Sequence, residues 1–268
     1  MASRTLRAAG PLTAYVLHRY DWSESSLILD LFTREQGRLA VVAKGAKRPY
    51  SQLRPVLLPF QRLQVVLGRA PRSGREGGDA AAEAAQREVQ TLRGAEWAGG
   101  GLAMLTGAAL FSGFYLNELL MKLLARQDPH AALFDAYSLT LPALASPDDT
   151  VVQSALRAFE LTLLWHLGIL PDLSLLTLTQ EAVREATDYS LLPEAGVGAR
   201  RAGEATVPGS LLIGLQAALL HGSVPALQHA CRQGLPALRA PLRGLLHYHL
   251  GSNLLRTRQV MLGVQSLG

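Results

Sequence analysis

Residues 25–51 read SSLILDLFTREQGRLAVVAKGAKRPYS. Residues 25–33 alternate as a strand does, with Leu27, Leu29 and Leu31 on one face and Ile28, Asp30 and Phe32 on the other. Arg34-Glu35-Gln36-Gly37 is polar and ends in a glycine that tolerates positive φ, so residues 38–44 return antiparallel with Leu39, Val41 and Ala43 on one face. The two segments form a β-hairpin. Gly45 ends the second strand, and Lys44, Lys47 and Arg48 then crowd into five residues before Pro49 stiffens the exit. A short tethered loop with that charge suits phosphates.

The N-terminal flank supplies one more strand, residues 12–19, with Tyr15, Leu17 and Arg19 on one side and Ala14, Val16 and His18 on the other. Downstream, Pro55 and Pro59 break residues 53–60, and residues 61–67 and 88–97 read as a fourth and a fifth strand. Five short strands in the first hundred residues predict a small closed or nearly closed barrel, OB-like in its strand count. Between the last two strands, residues 69–86 are rich in Gly, Arg and Ala and lack apolar periodicity, which predicts a mobile loop over about 69–87.

From residue 99 the pattern becomes helical, so the expected fold class is α+β: a barrel over 1–98 and a mainly α-helical domain over 99–268. Residues 97–117 carry no charge, but five glycines with Thr106, Ser112 and Asn117 dilute them too far for a membrane span. Residues 115–126 continue that helix and place Tyr115, Leu119, Lys122 and Arg126 on one stripe. Further helices are expected over 131–145, 151–167, 210–221, 224–233 and 240–264. The third of these six, 151–167, carries Leu156, Phe159, Leu163 and Leu167 on one stripe and stops at Gly168. Residues 173–203 lack a clean period and read as irregular, with one helix near 179–186.

At 268 residues and 49% hydrophobic, the chain is long enough for two domains with cores of their own. Its formal charge of +5 hides an asymmetry: residues 1–75 hold 13 Lys and Arg against 4 Asp and Glu, net +9, and the remainder 13 against 17, net −4. A basic N-terminal domain points to an anionic partner, the bland alternative being a solvated basic face. The single cysteine, Cys231, excludes an internal disulfide framework and any multi-cysteine zinc site, and fits the cytoplasm. The N-terminus lacks the apolar run of a secretory signal, although Arg4 and Arg7 also fit an Arg-rich transit peptide.

Enzyme chemistry finds no foothold in the sequence. Gly196-Val197-Gly198 lacks the spacing of a dinucleotide fingerprint, and no Walker A motif is present. His247 and His249 lie roughly 200° apart on a helix at ~100° per residue, so they cannot share a metal. Asp148-Asp149 follows Pro147 at a helix start, where aspartate caps. The basic domain's acids up to residue 75 are Asp21, Glu24, Asp30 and Glu35, too dispersed for a catalytic set.

The string from Ala14 to Phe60 resembles the opening of the bacterial RecO recombination and DNA-repair proteins. The likeness rests on Ser23-Glu24-Ser25, Leu31-Phe32-Thr33, Gly37, Ala43-Lys44-Gly45, Ser51 and Pro59-Phe60, in order and spacing. It resumes with residues 115–120, YLNELL, then Pro129-His130, Leu133-Phe134, Leu156-Arg157, Phe159-Glu160 and Gly168, and is weak over 174–208. The resemblance implies an OB domain followed by a helical domain. It also implies a non-enzymatic mediator that binds single- and double-stranded DNA and anneals complementary strands. With RecR, such a mediator helps load RecA onto strands coated by single-stranded DNA-binding protein, at the nucleoid in the cytoplasm. Many relatives carry a four-cysteine zinc site after the segment matching residues 168–173; this chain has no cysteine there, so no zinc or other cofactor is expected. A general annealing protein acting on RNA remains the alternative.

DNA contacts are expected from Arg34, Arg38, Lys44, Lys47, Arg48 and Arg54, which surround the hairpin and its loop. A groove for the acidic, apolar-tipped tail of single-stranded DNA-binding protein is expected around Tyr115, Leu119, Lys122 and Arg126. The alternative for that stripe is Tyr115 and Leu119 in the core, with the two cations reaching to water.

Overall fold

The computed structural model describes residues 10–68, 89–99, 104–251, 255 and 257. Two compact units emerge, one of Met1–Met104 with Leu124–Phe134 and one of Leu105–Leu123 with Asp135–Gly268. The loop expected over 69–87 lies outside the described residues.

In the first unit, β1 (Leu12–Asp21), β2 (Leu27–Thr33), β3 (Gly37–Ala43), β4 (Leu63–Gly68) and β5 (Val89–Trp97) close into a barrel in the order β1-β2-β3-β5-β4. Only the β3–β5 pairing is parallel; β4 closes the ring antiparallel to β1. The hairpin has the register its alternation demands, with Leu29 opposite Val41 and Leu31 opposite Leu39. These four side chains, with Ala14, Val16, Leu63 and Val65, fill the interior. Strand β1 departs from strict alternation. A register shift between Val16 and His18 leaves Leu17 buried beside buried Val16 and turns His18 outward.

The β2–β3 turn folds back on the barrel. Thr13 donates its N–H to the Glu35 carboxylate at 3.0 Å, and the Thr33 hydroxyl donates to the Gly37 carbonyl at 2.8 Å. Gly37 sits at φ +70°, and a Cβ there would collide with the Asp128 carbonyl. On the outer wall Phe134 packs against Tyr15 and Phe32, ring centroids 5.2 and 5.4 Å away.

The second unit holds α1 (Gly107–Leu123), most of α2 (Ala131–Leu144), α3 (Asp149–His166), α4 (Gly209–His221), α5 (Val224–Gln233) and α6 (Leu235–Leu250). Helix α3 is its centre. The Asp148 carboxylate caps it by accepting the Thr150 N–H at 2.9 Å, and Gly168 at φ +68° ends it. Its buried residues include Leu156, Phe159 and Leu163 of the expected stripe, together with Ala155, Leu161 and Leu164 on its flanks. Among the described residues, no helix is long and apolar enough to cross a membrane.

Residues 173–203 correct the sequence reading. No helix forms over 179–186; a tight turn closes instead, with Leu175 bridged to Ala182, Gln180 N–H donating to Leu176 O and Leu176 N–H donating to Glu181 O, both at 2.8 Å. Next comes a three-stranded sheet of β6 (Asp188–Leu192), β7 (Gly196–Ala199) and β8 (Thr206–Pro208), ordered β7-β6-β8. Thr177 joins turn to sheet: its N–H donates to Val197 O and its hydroxyl accepts the Val197 N–H, both at 2.9 Å. Hydrogen bonds thus tie together a segment whose Leu173, Val183, Leu191 and Val197 are buried. The last helix also starts earlier than 240, because Pro236 stands in its first turn, where no N–H partner is needed, and it ends at Gly251 in the left-handed conformation.

Candidate nucleic-acid interface and partner cleft

The six expected DNA contacts divide between two ends of the hairpin. Arg34 lies in the β2–β3 turn, exposed, and Arg38 is the second residue of β3. Lys44, Lys47, Arg48 and Arg54 follow the far end of β3, whose seven residues span roughly 20 Å at ~3.3 Å each. The six therefore stand as two groups, one at each end of the strand.

Arg38 is engaged inside its own unit. Its Nε and Nη2 donate to the two oxygens of buried Asp30, at 2.8 and 3.1 Å, and its Nη1 donates to the Leu124 carbonyl at 3.3 Å. With a side chain 14% exposed and its fork filled, this guanidinium fastens the 124–134 segment to the barrel and is not presented to a phosphate. The sequence reading placed Arg38 near the loop by number alone; the pairing register puts it opposite Phe32, beside Asp30.

The loop after β3 is built on a buried anchor. Ala46 inserts into the barrel core, so the residues around it are held at fixed height. Lys47 N–H donates to Ser25 O, and Lys47 Nζ reaches Ser23 O and the Asp21 carboxylate, each at 3.0 Å. Lys47 is thereby a latch between the loop and the β1–β2 turn. Lys44, Arg48 and Arg54 remain exposed, and Gly45 at φ +72° turns the chain between the first two. Around the same end stand Tyr20, Trp22 and Tyr50, exposed rings that charge counting does not find. A sequence signal for them was present in Arg19-Tyr20-Asp21-Trp22 and Lys47-Arg48-Pro49-Tyr50, where rings alternate with charges.

The four residues expected on one helical stripe do not share a helix. Helix α1 ends at Leu123, so the helical period carried through to Arg126 overruns it. Arg126 belongs to the barrel unit, its backbone bridged to Arg38, whereas Tyr115, Leu119 and Lys122 belong to the helical unit. Leu119 is fully buried, and Lys122 pairs with Glu118 at 3.4 Å.

Tyr115 instead faces a cleft of about 650 Å³ within the helical unit, walled by α1, α3 and α6. Among the described residues, Arg157, Arg239, Arg243 and His247 line it against one acid, Asp149, with Phe111, Leu156, Leu235 and Leu246 supplying apolar wall. Leu235, Arg239, Arg243 and His247 recur every four residues, a one-face spacing legible in the sequence once the helix start is known. Beneath the cleft, fully buried Glu160 accepts from Tyr115 Oη at 2.7 Å and from Arg157 Nη1 at 2.6 Å. Burial pushes its carboxyl pKa up, and Arg157 and the Tyr115 hydrogen bond only partly oppose that. Burial also raises the Cys231 thiol to about 12, so that sulfur stays protonated and unreactive. Among the described residues no group of three or more His, Cys, Asp or Glu converges as a metal set would.

A closed five-stranded barrel ordered β1-β2-β3-β5-β4, with β3 and β5 its parallel pair, is the architecture of OB-fold modules, here followed by a helical unit. Residues 12–76 match the family described as Recombination protein O N terminal, and residues 104–258 match Recombination protein O C terminal. The chain is 49% identical over 260 residues to the DNA repair protein RecO of Polaromonas sp., covering 96% of this chain and 98% of that one. It is 50% identical over 256 residues to the DNA repair protein RecO of Verminephrobacter eiseniae, covering 95% and 96%. The chain belongs to the RecO family of DNA repair proteins.

Proposed function

We propose that this chain is a DNA-binding recombination mediator that acts by binding and not by catalysis. It holds single- and double-stranded DNA on the barrel, anneals complementary strands, and with RecR helps RecA load onto strands coated by single-stranded DNA-binding protein. The observation that carries this reading is the loop after β3, where Ala46 and Lys47 fix a frame from which Lys44, Arg48 and Arg54 project into solvent. A backbone that is already held loses little freedom on meeting phosphates, and the released counterions supply the affinity.

The cleft of the helical unit is the dock for the acidic tail of single-stranded DNA-binding protein. Its apolar wall accepts an apolar tip, and Arg239 and Arg243 at its rim meet carboxylates. Such contacts would bring the protein to coated strands in the nucleoid, with no cofactor required.

The test is annealing of complementary strands, each coated with the cognate single-stranded DNA-binding protein. Added protein should accelerate annealing, and a tail-less coat protein should abolish most of the gain. Annealing at the uncatalysed rate in both cases would overturn the proposal, and equal competition by matched RNA would favour a general annealing role.

A further inference from the structure

We infer that Trp22 and Tyr50, backed by Tyr20, form a stacking platform for unpaired bases beside the cationic loop, so that the barrel distinguishes single strands from duplex. The inference rests on the reading of that loop as a DNA site and names which form of DNA it prefers. Exposure is the first observation. Tyr20, Trp22 and Tyr50 are 45%, 66% and 95% exposed, whereas Tyr15, Phe32 and Phe60 of the same unit are buried. Trp97 of the same unit is exposed too, at the end of β5, but Tyr20, Trp22 and Tyr50 gather on two adjoining segments, and a cluster of exposed rings marks a surface for binding where a single one does not.

Placement is the second. Trp22 opens the β1–β2 turn, held by Trp22 N–H to Ser26 O at 3.3 Å and by Ser26 N–H to Ser23 Oγ at 3.2 Å. Tyr50 lies in the loop after β3, in a turn closed by Ser51 N–H to Arg48 O at 3.0 Å. These two segments are hydrogen-bonded to each other through Lys47 to Ser23 and Ser25. Tyr20 is stiffened by an edge contact with His18, centroids 4.4 Å apart, so part of the platform is preorganised.

Charge is the third. Lys47 neutralises Asp21, and Glu24 carries the remaining negative charge of the turn, so phosphates should run along the Lys44–Arg48 side. A single strand offers phosphates and free base faces together, matching cations interleaved with rings. In a duplex the base faces are stacked on one another, and only the phosphates remain for this surface.

The experiment compares Trp22→Ala/Tyr50→Ala with Trp22→Phe/Tyr50→Phe in the full chain, measuring anisotropy of a labelled oligothymidine and of a duplex of equal length across a salt series. The alanine pair should lose at least about tenfold on the single strand with an unchanged salt slope, and under about twofold on the duplex. The phenylalanine pair should keep most of the single-strand affinity. Equal losses on both DNAs, or none on the single strand, would overturn the platform. Loss of acidic-tail binding in place of DNA binding would overturn it too, by showing that the rings hold a protein. A Lys44→Ala/Arg48→Ala/Arg54→Ala variant separates the two readings: if it retains full affinity, the loop is not a DNA site at all, whereas its loss with intact ring variants removes the platform alone.

Discussion

The loop of the barrel and the cleft of the helical unit both display cations, but in opposite company. On the loop, Lys44, Arg48 and Arg54 stand exposed among open rings, each replaceable by its neighbour in meeting a repeating polyanion. In the cleft, Arg157 is tied to buried Glu160, and Arg239 and Arg243 edge an apolar wall. That arrangement suits one short anionic segment with apolar side chains of its own. On the proposed reading the same residue type would serve a polyanion in one unit and a short acidic segment in the other, and what would decide is whether the apolar surface beside it is a set of open rings or an enclosed wall.

The largest effect should come from the loop. Removing Lys44, Arg48 and Arg54 together should lower single-strand affinity about 100-fold near 0.1 M salt and flatten the log-log salt slope by about 2, as three lost phosphate contacts require. Binding of a labelled acidic tail peptide should not change. Arg239→Ala with Arg243→Ala should do the reverse, weakening that peptide about tenfold while DNA titrations stay within twofold. If either variant impairs both ligands equally, the contrast between the two surfaces fails.

A smaller effect concerns pH. Because burial raises the folded-state pKa of Glu160, the folded protein binds more protons there than the unfolded chain does. Its contribution to stability is present below the ordinary carboxylate pKa and falls as pH rises through the raised one. Melting curves of the protein and of Glu160→Gln across mildly acidic to neutral pH should show the parent losing ground to the variant as pH rises; parallel curves would contradict the assignment. The smallest expected effect is none at all. Chelation should leave the melting temperature unchanged and elemental analysis should find no stoichiometric zinc, since the chain's one cysteine is the buried Cys231. One zinc per chain would refute this.

Much of the barrel was legible because its hairpin is half-buried: Leu29, Leu31, Leu39 and Val41 repeat at period two and all enter the core. The bulge after Val16 was not, since an extra residue in a strand leaves no compositional trace. Strands β6 to β8 escaped for a different reason. At three to five residues each, with Gly196 and Gly198 in β7, they are too short to show a period and depend on cross-strand hydrogen bonds for their existence. In the site, the charge run at Lys44–Arg48 was plain, but the capture of Arg38 by Asp30 is a matter of register, eight residues apart in sequence and adjacent across the hairpin. The cleft draws on three helices that are distant in sequence, so its walls could be read singly but not joined.

Phe134 ties the barrel's history to residues well beyond its last strand. Until that ring arrives, Tyr15 and Phe32 lack the aromatic packing that it supplies. A ribosome adding ~5–20 residues per second needs roughly 2–7 s to pass from residue 98 to residue 134, and during that interval the nascent barrel must do without the Phe134 ring. A chain severed near residue 99 would never gain that packing, which makes the 124–134 segment, and not the end of β5, the natural limit of the barrel.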